Sequence, residues 1–264
     1  MSSIPPWVDA GWLFHPHRKD ERMSDNQAPF PRLRAAYLRS IAEVWSDPAF
    51  LDVLVEESNS NPRGVLPFWE ERYHFEFPFN VTFKVSKNKR PLYRPIGTTG
   101  WFGYGDEFVV YLPALPRDLG ESAAVLARYC AEFPSLLGQG LAGAVAPADF
   151  SNFGIITCRV LALAWHNVAF RRALYQAEDA RQLIQDTMNY IVPWNFFIKF
   201  IEAPGESSTR DEYWQKFPRS VITVHAPMKP DKESIHRNEV DHTVEAVALA
   251  AYNGTGAQYP FTCP

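Results

Sequence analysis

A threonine and a cysteine stand side by side at positions 262 and 263, in the segment YNGTGAQYPFTCP at the end of the sequence. Both side chains are nucleophiles once activated. Two glycines and the lack of a helical pattern after Tyr252 make this segment an expected flexible tail, open to another protein's active site. The other cysteines, Cys130 and Cys158, bring the total to an odd three at wide spacing, unlike a disulfide framework or a CxxC metal knuckle. They fall in predicted helices, where a thiol behaves as a small hydrophobe, and a reducing, cytoplasmic compartment is the expected setting.

The seven histidines offer no metal set. His15 and His17 lie in a proline-flanked N-terminal stretch, and His236 and His242, six apart on a predicted helix, are turned about 600° from one another and face different sides. His74 precedes a strand, His166 is placed at a helix start and His225 lies within a strand. HExxH, P-loop, GxSxG and strand-linked GxGxxG motifs are absent, and GTTGWFGYG at 97–105 lacks the lysine and following helix of a phosphate loop, so it reads as a turn. The residues alone assign no acid/base pair, no metal site and no cofactor. The chain is expected not to be an enzyme.

What positions the 262–263 pair must therefore be sought in the body of the chain. Its 264 residues, 46% hydrophobic and 14% aromatic, suffice for two domains, since cores tend to split into units of roughly 100–150 residues. A net charge of −4 with no strongly basic run argues against nucleic-acid partners. No apolar run approaches the roughly 20 residues of a membrane span, and the N-terminus lacks the pattern of an export signal.

The body is a duplication. Residues 39–54, RSIAEVWSDPAFLDVL, align with 159–174, RVLALAWHNVAFRRAL, at an offset of 120, which pairs Arg39, Trp45, Ala49, Phe50 and Leu54 with Arg159, Trp165, Ala169, Phe170 and Leu174. Further on, Pro78-Phe79-Asn80 pairs with Pro193-Trp194-Asn195 at 115, and Pro113 and Pro116 pair with Pro227 and Pro230 at 114. Upstream, Ala28-Pro29 matches Ala146-Pro147, and downstream AVLARYC matches VALAAYN. Landmarks kept in one order at nearly constant offset are the signature of an internal repeat. The expected layout is an N-terminal extension at 1–27, module 1 at 28–139, a Gly/Ala-rich join, module 2 at 146–252 and the tail at 253–264.

In module 1, Tyr37, Leu38, Ile41, Val44 and Trp45 recur at helical spacing, and SDPAF reads as a joint to a second helix, with Ser46 or Asp47 as cap and Pro48 in its first turn. HFEFPFNVTFKV and EFVVYLP alternate as half-buried strands do. The second copy repeats the plan, with helices over 155–165 and 167–188, strands near 192–202 and 219–226, and a helix from about 232 to 252. The expected fold class is α+β, a tandem α-α-β-β-α module whose two small sheets pack together or pair at their edges. Trp45, Phe50, Trp165 and Phe170 are the residues expected to serve as core or as a docking surface for an enzyme.

The motif carried by Trp45 to Leu54, and more fully by Ala164-Trp165, Ala169-Phe170 and Leu174, resembles the N-terminal helices of the nitrile hydratase α subunit. It is equally similar to the nitrile-hydratase-like leader of certain ribosomal peptide precursors. The CxxCSC claw of nitrile hydratase is missing, so nitrile hydration is not implied. The ending from Tyr259 to Cys263 looks like that of the double-domain, bacteriocin-like family classed with thiazole/oxazole-modified microcin precursors. That resemblance implies a precursor whose folded modules dock a cyclodehydratase or an iron-dependent oxidase acting on Thr262 and Cys263, with homo- or heterodimers as further partners. In azoline formation the Cys263 thiolate attacks the activated carbonyl of Thr262. Two other classes stay open: a scaffold protein derived from a nitrile hydratase subunit, and an enzyme using Cys263 or His225 between the modules.

Overall fold

A computed structural model describes residues 29–77, 81–94, 100–103, 105–137, 148–194, 196–230 and 244–255. Copy one opens with α1 (Pro29–Ser46), α2 (Phe50–Ser60) and α3 (Leu66–Tyr73), followed by β1 (Val81–Ser86), a hairpin of β2 (Leu92–Arg94) and β3 (Gly100–Phe102), β4 (Glu107–Leu112) and α4 (Ser122–Leu137). Copy two contains α5 (Ala148–His166), α6 (Val168–Gln176), α7 (Arg181–Met188), β5 (Phe197–Glu202), the short α8 (Asp211–Gln215), β6 (Ser220–His225) and α9 (Val244–Thr255). Mixed helices and strands recur in one order, with a hairpin in the first copy where the second has α8.

Helix α1 forms because Leu33, Tyr37, Ile41, Val44 and Trp45, all buried, fall on one stripe. Between α1 and α2 the Asp47 carboxylate accepts the Ala49 N–H at 3.0 Å, a local turn that re-aims the chain. In copy two the Asn167 side chain accepts the Phe170 N–H at 3.0 Å and caps α6. Each copy has a third helix that the expected plan lacks. The expected single helix over 167–188 is interrupted at 177–180, where Asp179 accepts the Arg181 N–H at 3.1 Å. Helices α3 and α7 end alike, at His74 (φ 54°) and Asn189 (φ 51°), residues that correspond at the 115-residue offset.

Among the described residues, the expected sheet of two long strands in each copy is not formed; the small β2–β3 hairpin sheet belongs to copy one alone. One four-stranded sheet runs in the order β1-β6-β4-β5, with β1–β6 and β4–β5 parallel and β4–β6 antiparallel. Every ladder in it therefore joins one copy to the other, β1 does not pair with β4, and β5 does not pair with β6. The register carries a local two-fold: Phe108 faces Ile222, its own counterpart in the repeat, while Glu107 faces Thr223 and Val109 faces Val221. Alternation places Phe108, Val110, Leu112, Ile198, Phe200, Ile222 and Val224 in the core. The expected strands near 74–85 and 192–202 begin later, at Val81 and Phe197.

The outer strands are capped in matching ways. Val65 N–H donates to Phe83 O at 2.8 Å on the β1 side, and Ala180 N–H donates to Ile198 O at 2.7 Å on the β5 side. Gly64, at φ 67°, crosses β1 so closely that a Cβ there would lie 1.9 Å from Phe83 O. Only glycine allows this backbone to seal the edge.

Candidate functional site

Helix α9 is the element that leads toward the Thr262–Cys263 segment, and copy one holds it. Val244, Ala248 and Tyr252 recur every four residues and are all buried. The Ala248 carbonyl accepts the Trp101 indole N–H at 2.8 Å, and the Tyr252 ring meets Trp101 edge-on at 5.3 Å. The Tyr252 and Tyr37 hydroxyls share a hydrogen bond at 3.1 Å, which ties α9 to α1. Trp45 stacks on Trp101 at 5.9 Å. The hairpin of copy one and the first helix of copy one thus form the cradle of the last helix of copy two.

The arrangement is reciprocal. Tyr129, on α4 of copy one, is fully buried against Trp214 at 6.5 Å and Phe217 at 6.0 Å, both from the insert of copy two. Arg128 stacks over Trp214 at 5.4 Å, pairs with Asp211 at 2.7 Å and donates to Thr209 O at 2.6 Å. The repeat landmarks bond across the copies in the same sense. Trp45 Nε1 donates to Pro227 O and Trp165 Nε1 donates to Pro113 O, each at 3.1 Å. Arg90 reinforces the first contact by donating to Ala226 O at 2.8 Å and Pro227 O at 2.9 Å. Its partial burial lowers the guanidinium pKa from the ordinary value.

Of the expected docking or core residues, Trp45 and Phe170 are buried, whereas Phe50 and Trp165 are half-buried. Phe50 packs on Phe68 at 6.0 Å, with the Arg72 guanidinium 5.0 Å above its ring. Thr262, Cys263, Tyr259 and the pair His236/His242 lie outside the described residues. His166 ends α5, a correction to its expected place at a helix start. Cys130 on α4 and Cys158 on α5 are free and half-buried. Burial, then a hydrogen bond that the protonated Cys158 thiol makes to its neighbour Cys130, pushes the Cys158 thiol up, which suppresses the reactive thiolate.

Sequence reading missed one buried acid–imidazole contact. Asp106 Oδ1 accepts the His225 main-chain N–H at 2.7 Å and lies 3.2 Å from His225 Nδ1, while its second oxygen is buried without a hydrogen-bond partner. The residues are 119 apart, and only the β4–β6 pairing brings them together. The contact joins the start of β4 to the end of β6, so it too bridges the copies. Among the described residues no group of three or more His, Cys, Asp or Glu could hold a metal ion, and no helix is long and apolar enough to cross a membrane.

Fold and site together define a duplicated helix-and-strand protein in which each copy cradles the last helix of the other. The sequence matches the family described as ribosomal natural product, two-chain TOMM family, where TOMM denotes a thiazole/oxazole-modified microcin, over residues 29–137 and again over 148–260. These two matches span most of the chain, and it belongs to that family as a double-domain TOMM precursor. No curated protein and no solved structure matches it.

Proposed function

We propose that the folded body of this precursor docks a modifying enzyme and offers it the Thr262–Cys263 pair as substrate. The body divides functionally into the extension 1–27, nitrile-hydratase-α-like modules at 28–139 and 146–252, and the substrate segment 253–264. One observation carries this reading: of the two equivalent last helices, only α9 leads into a Thr-Cys pair, and α9 is anchored at the middle and the C-terminal end of its buried stripe, at Ala248 and Tyr252. An anchored helix fixes the origin of the segment that the enzyme would take into its active site.

In the cyclodehydratase version, the Cys263 thiol adds to the Thr262 carbonyl carbon and the amide nitrogen of Cys263 loses its proton. The former carbonyl oxygen leaves as phosphate at the expense of ATP bound by the enzyme. The net change is loss of one water, with no change in oxidation state. Cys130 and Cys158 are unsuited to the same role, because both sit in helices of the folded body.

Intact mass of the full chain purified from its native host tests this. A loss of one water, or another small shift mapped to residues 253–264, is expected. Cys263→Ala should abolish the shift, whereas Cys130→Ala and Cys158→Ala should retain it. An unshifted wild-type chain, or a shift that survives Cys263→Ala, overturns the reading.

A further inference from the structure

Each copy's first helix packs beside the last helix of the other copy, and the two pairs are related by the repeat. In one pair α9 lies on α1, where the Tyr37 and Tyr252 hydroxyls share their bond at 3.1 Å. In the other, α4 lies on α5. The offset of 120 makes Thr157 the counterpart of Tyr37, and the match of AVLARYC with VALAAYN makes Tyr129 the counterpart of Tyr252. Thr157 and Tyr129 are fully buried, but their hydroxyls donate to main-chain oxygens, Thr157 to Phe153 O and Tyr129 to Tyr111 O, each at 2.9 Å.

Immediately after each of these two residues stands a cysteine, Cys158 on α5 and Cys130 on α4. Far apart in sequence, they are neighbours in the fold. The Cys158 thiol bonds to Cys130, and both thiols lie near enough to the Tyr129 phenol to oppose its ionisation, after burial and with Cys158 ahead of Cys130. One thiol belongs to copy one and the other to copy two. Both are free and half-buried, within reach of a small oxidant. The corresponding positions of the α1–α9 pair are Leu38 and Asn253, so sulfur stands on one side of the repeat only.

Two thiols held together by a fold are set for oxidation to a disulfide, and here their surroundings divide the roles. Cys158 stays a thiol, so Cys130 is the sulfur that meets the oxidant first. With hydrogen peroxide, an S–O bond forms at Cys130 as the O–O bond breaks, leaving a sulfenic acid and one water. The Cys158 sulfur then attacks the Cys130 sulfur. The S–S bond forms, the S–O bond breaks, and the departing hydroxide takes the Cys158 proton as a second water. The thiol pair gives up two electrons, and one peroxide is reduced to two waters.

We propose that Cys130 and Cys158 are a modification site, an oxidative latch in which hydrogen peroxide joins them as a disulfide that ties α4 of copy one to α5 of copy two. The join between the copies lies between the two cysteines in sequence, so the latch keeps the copies covalently together even when the join is cut. It does for the α4–α5 pair what the Tyr37–Tyr252 bond does for the α1–α9 pair. The latch concerns the folded body alone and does not depend on the precursor reading, which leaves Cys263 as the thiol for the chemistry of the tail.

The test uses the full chain carrying Cys263→Ala, so that the tail thiol takes no part, with a protease site inserted between residues 138 and 147. Hydrogen peroxide in slight molar excess should remove two hydrogen atoms from the intact mass, and a peptide map should find Cys130 joined to Cys158. Once cut, the oxidised chain should run as one band on a denaturing gel without reductant and as two with dithiothreitol. Oxidation of the uncut chain should raise the melting temperature by a few degrees, because the cross-link restricts the unfolded state, and dithiothreitol should reverse the rise. Cys130→Ser and Cys158→Ser in the same background should each abolish both the single band and the rise. Oxygen gained at Cys130 with the sulfurs still unlinked, a cross-link between two chains, or a joined pair that lowers the melting temperature overturns the latch. So does a linkage that forms as readily in urea as in the folded chain, because the fold then contributes nothing to it.

Discussion

Removing the Tyr37 and Tyr252 hydroxyls one at a time and together measures how firmly one copy holds the last helix of the other. Both rings are buried, at 9% and 2% exposure, and their oxygens lie 3.1 Å apart. Phenylalanine keeps the ring and its packing, including the edge-on contact of the two rings at 6.2 Å, so each substitution removes little beyond the hydroxyl. A single deletion removes the shared bond and should cost about 0.5–1.5 kcal/mol, and removing both hydroxyls removes that same bond only once. The double variant should therefore lose less than the sum of the singles, with a coupling of about 0.5–1.5 kcal/mol. Equilibrium urea unfolding of the full chain, with unchanged denaturant slope across the four proteins, yields these energies. Additivity within about 0.3 kcal/mol would refute the bond between α1 and α9, and with it the cradle described for α9.

Three further outcomes are expected. A chain cut at a protease site inserted between residues 138 and 147 should stay assembled in native mass spectrometry, because all three ladders of the sheet join the copies; halves that part in dilute buffer would contradict the strand order. Trp45→Ala should cost about 3–5 kcal/mol, and Trp165→Ala less than that, because Trp165 is only half-buried; the reverse ranking in urea melts would show that the two indoles are packed otherwise. Burial opposes ionisation of Asp179, but hydrogen bonds and charge from Arg181, with the Ile198 N–H, outweigh it and hold the carboxyl below its ordinary value. A depressed folded pKa contributes stability that is present above the ordinary carboxylate range and is lost as pH falls through the folded value. Unfolding midpoints should thus fall less between pH 5 and pH 2 in Asp179→Asn than in wild type, and identical acid profiles would dismiss this contribution (these limits are about one to two units either side of the usual carboxylate range).

Much of the local structure was legible along the chain. The apolar spacing from Tyr37 to Trp45 marks a helix because a buried stripe must recur every three or four residues, and EFVVYL marks a strand because a half-buried one must alternate. The third helix of each copy was legible in principle. Pro67 near the start of LPFWEERY and the three-residue spacing of the buried Leu66 and Trp69 were signals for α3, and Asp179 before Arg181 was the signal for a fresh start at α7. The Asp106–His225 contact was not legible, since nothing local links residues 119 apart.

By itself the sequence determined the repeat: matched tryptophans, phenylalanines and prolines at offsets of 114 to 120 require matched places in the fold, because each copy must build similar elements from similar patterns. It also places a Thr262–Cys263 pair after the last helix of copy two and none after that of copy one. Only the tertiary structure decided how the copies combine. Two strands per copy can pair within a module or across modules with the same alternation of buried and exposed residues, so the pattern is silent on the partner. The choice is made where edges meet. Trp45 finds Pro227 and Trp165 finds Pro113, the very landmarks that betrayed the duplication, and each bond closes across the copies. Hydrogen-bond partners and apolar contacts between distant segments exist only once the whole chain is folded, and for that reason the exchange of strands and the cradling of α9 belong to the fold and not to the pattern.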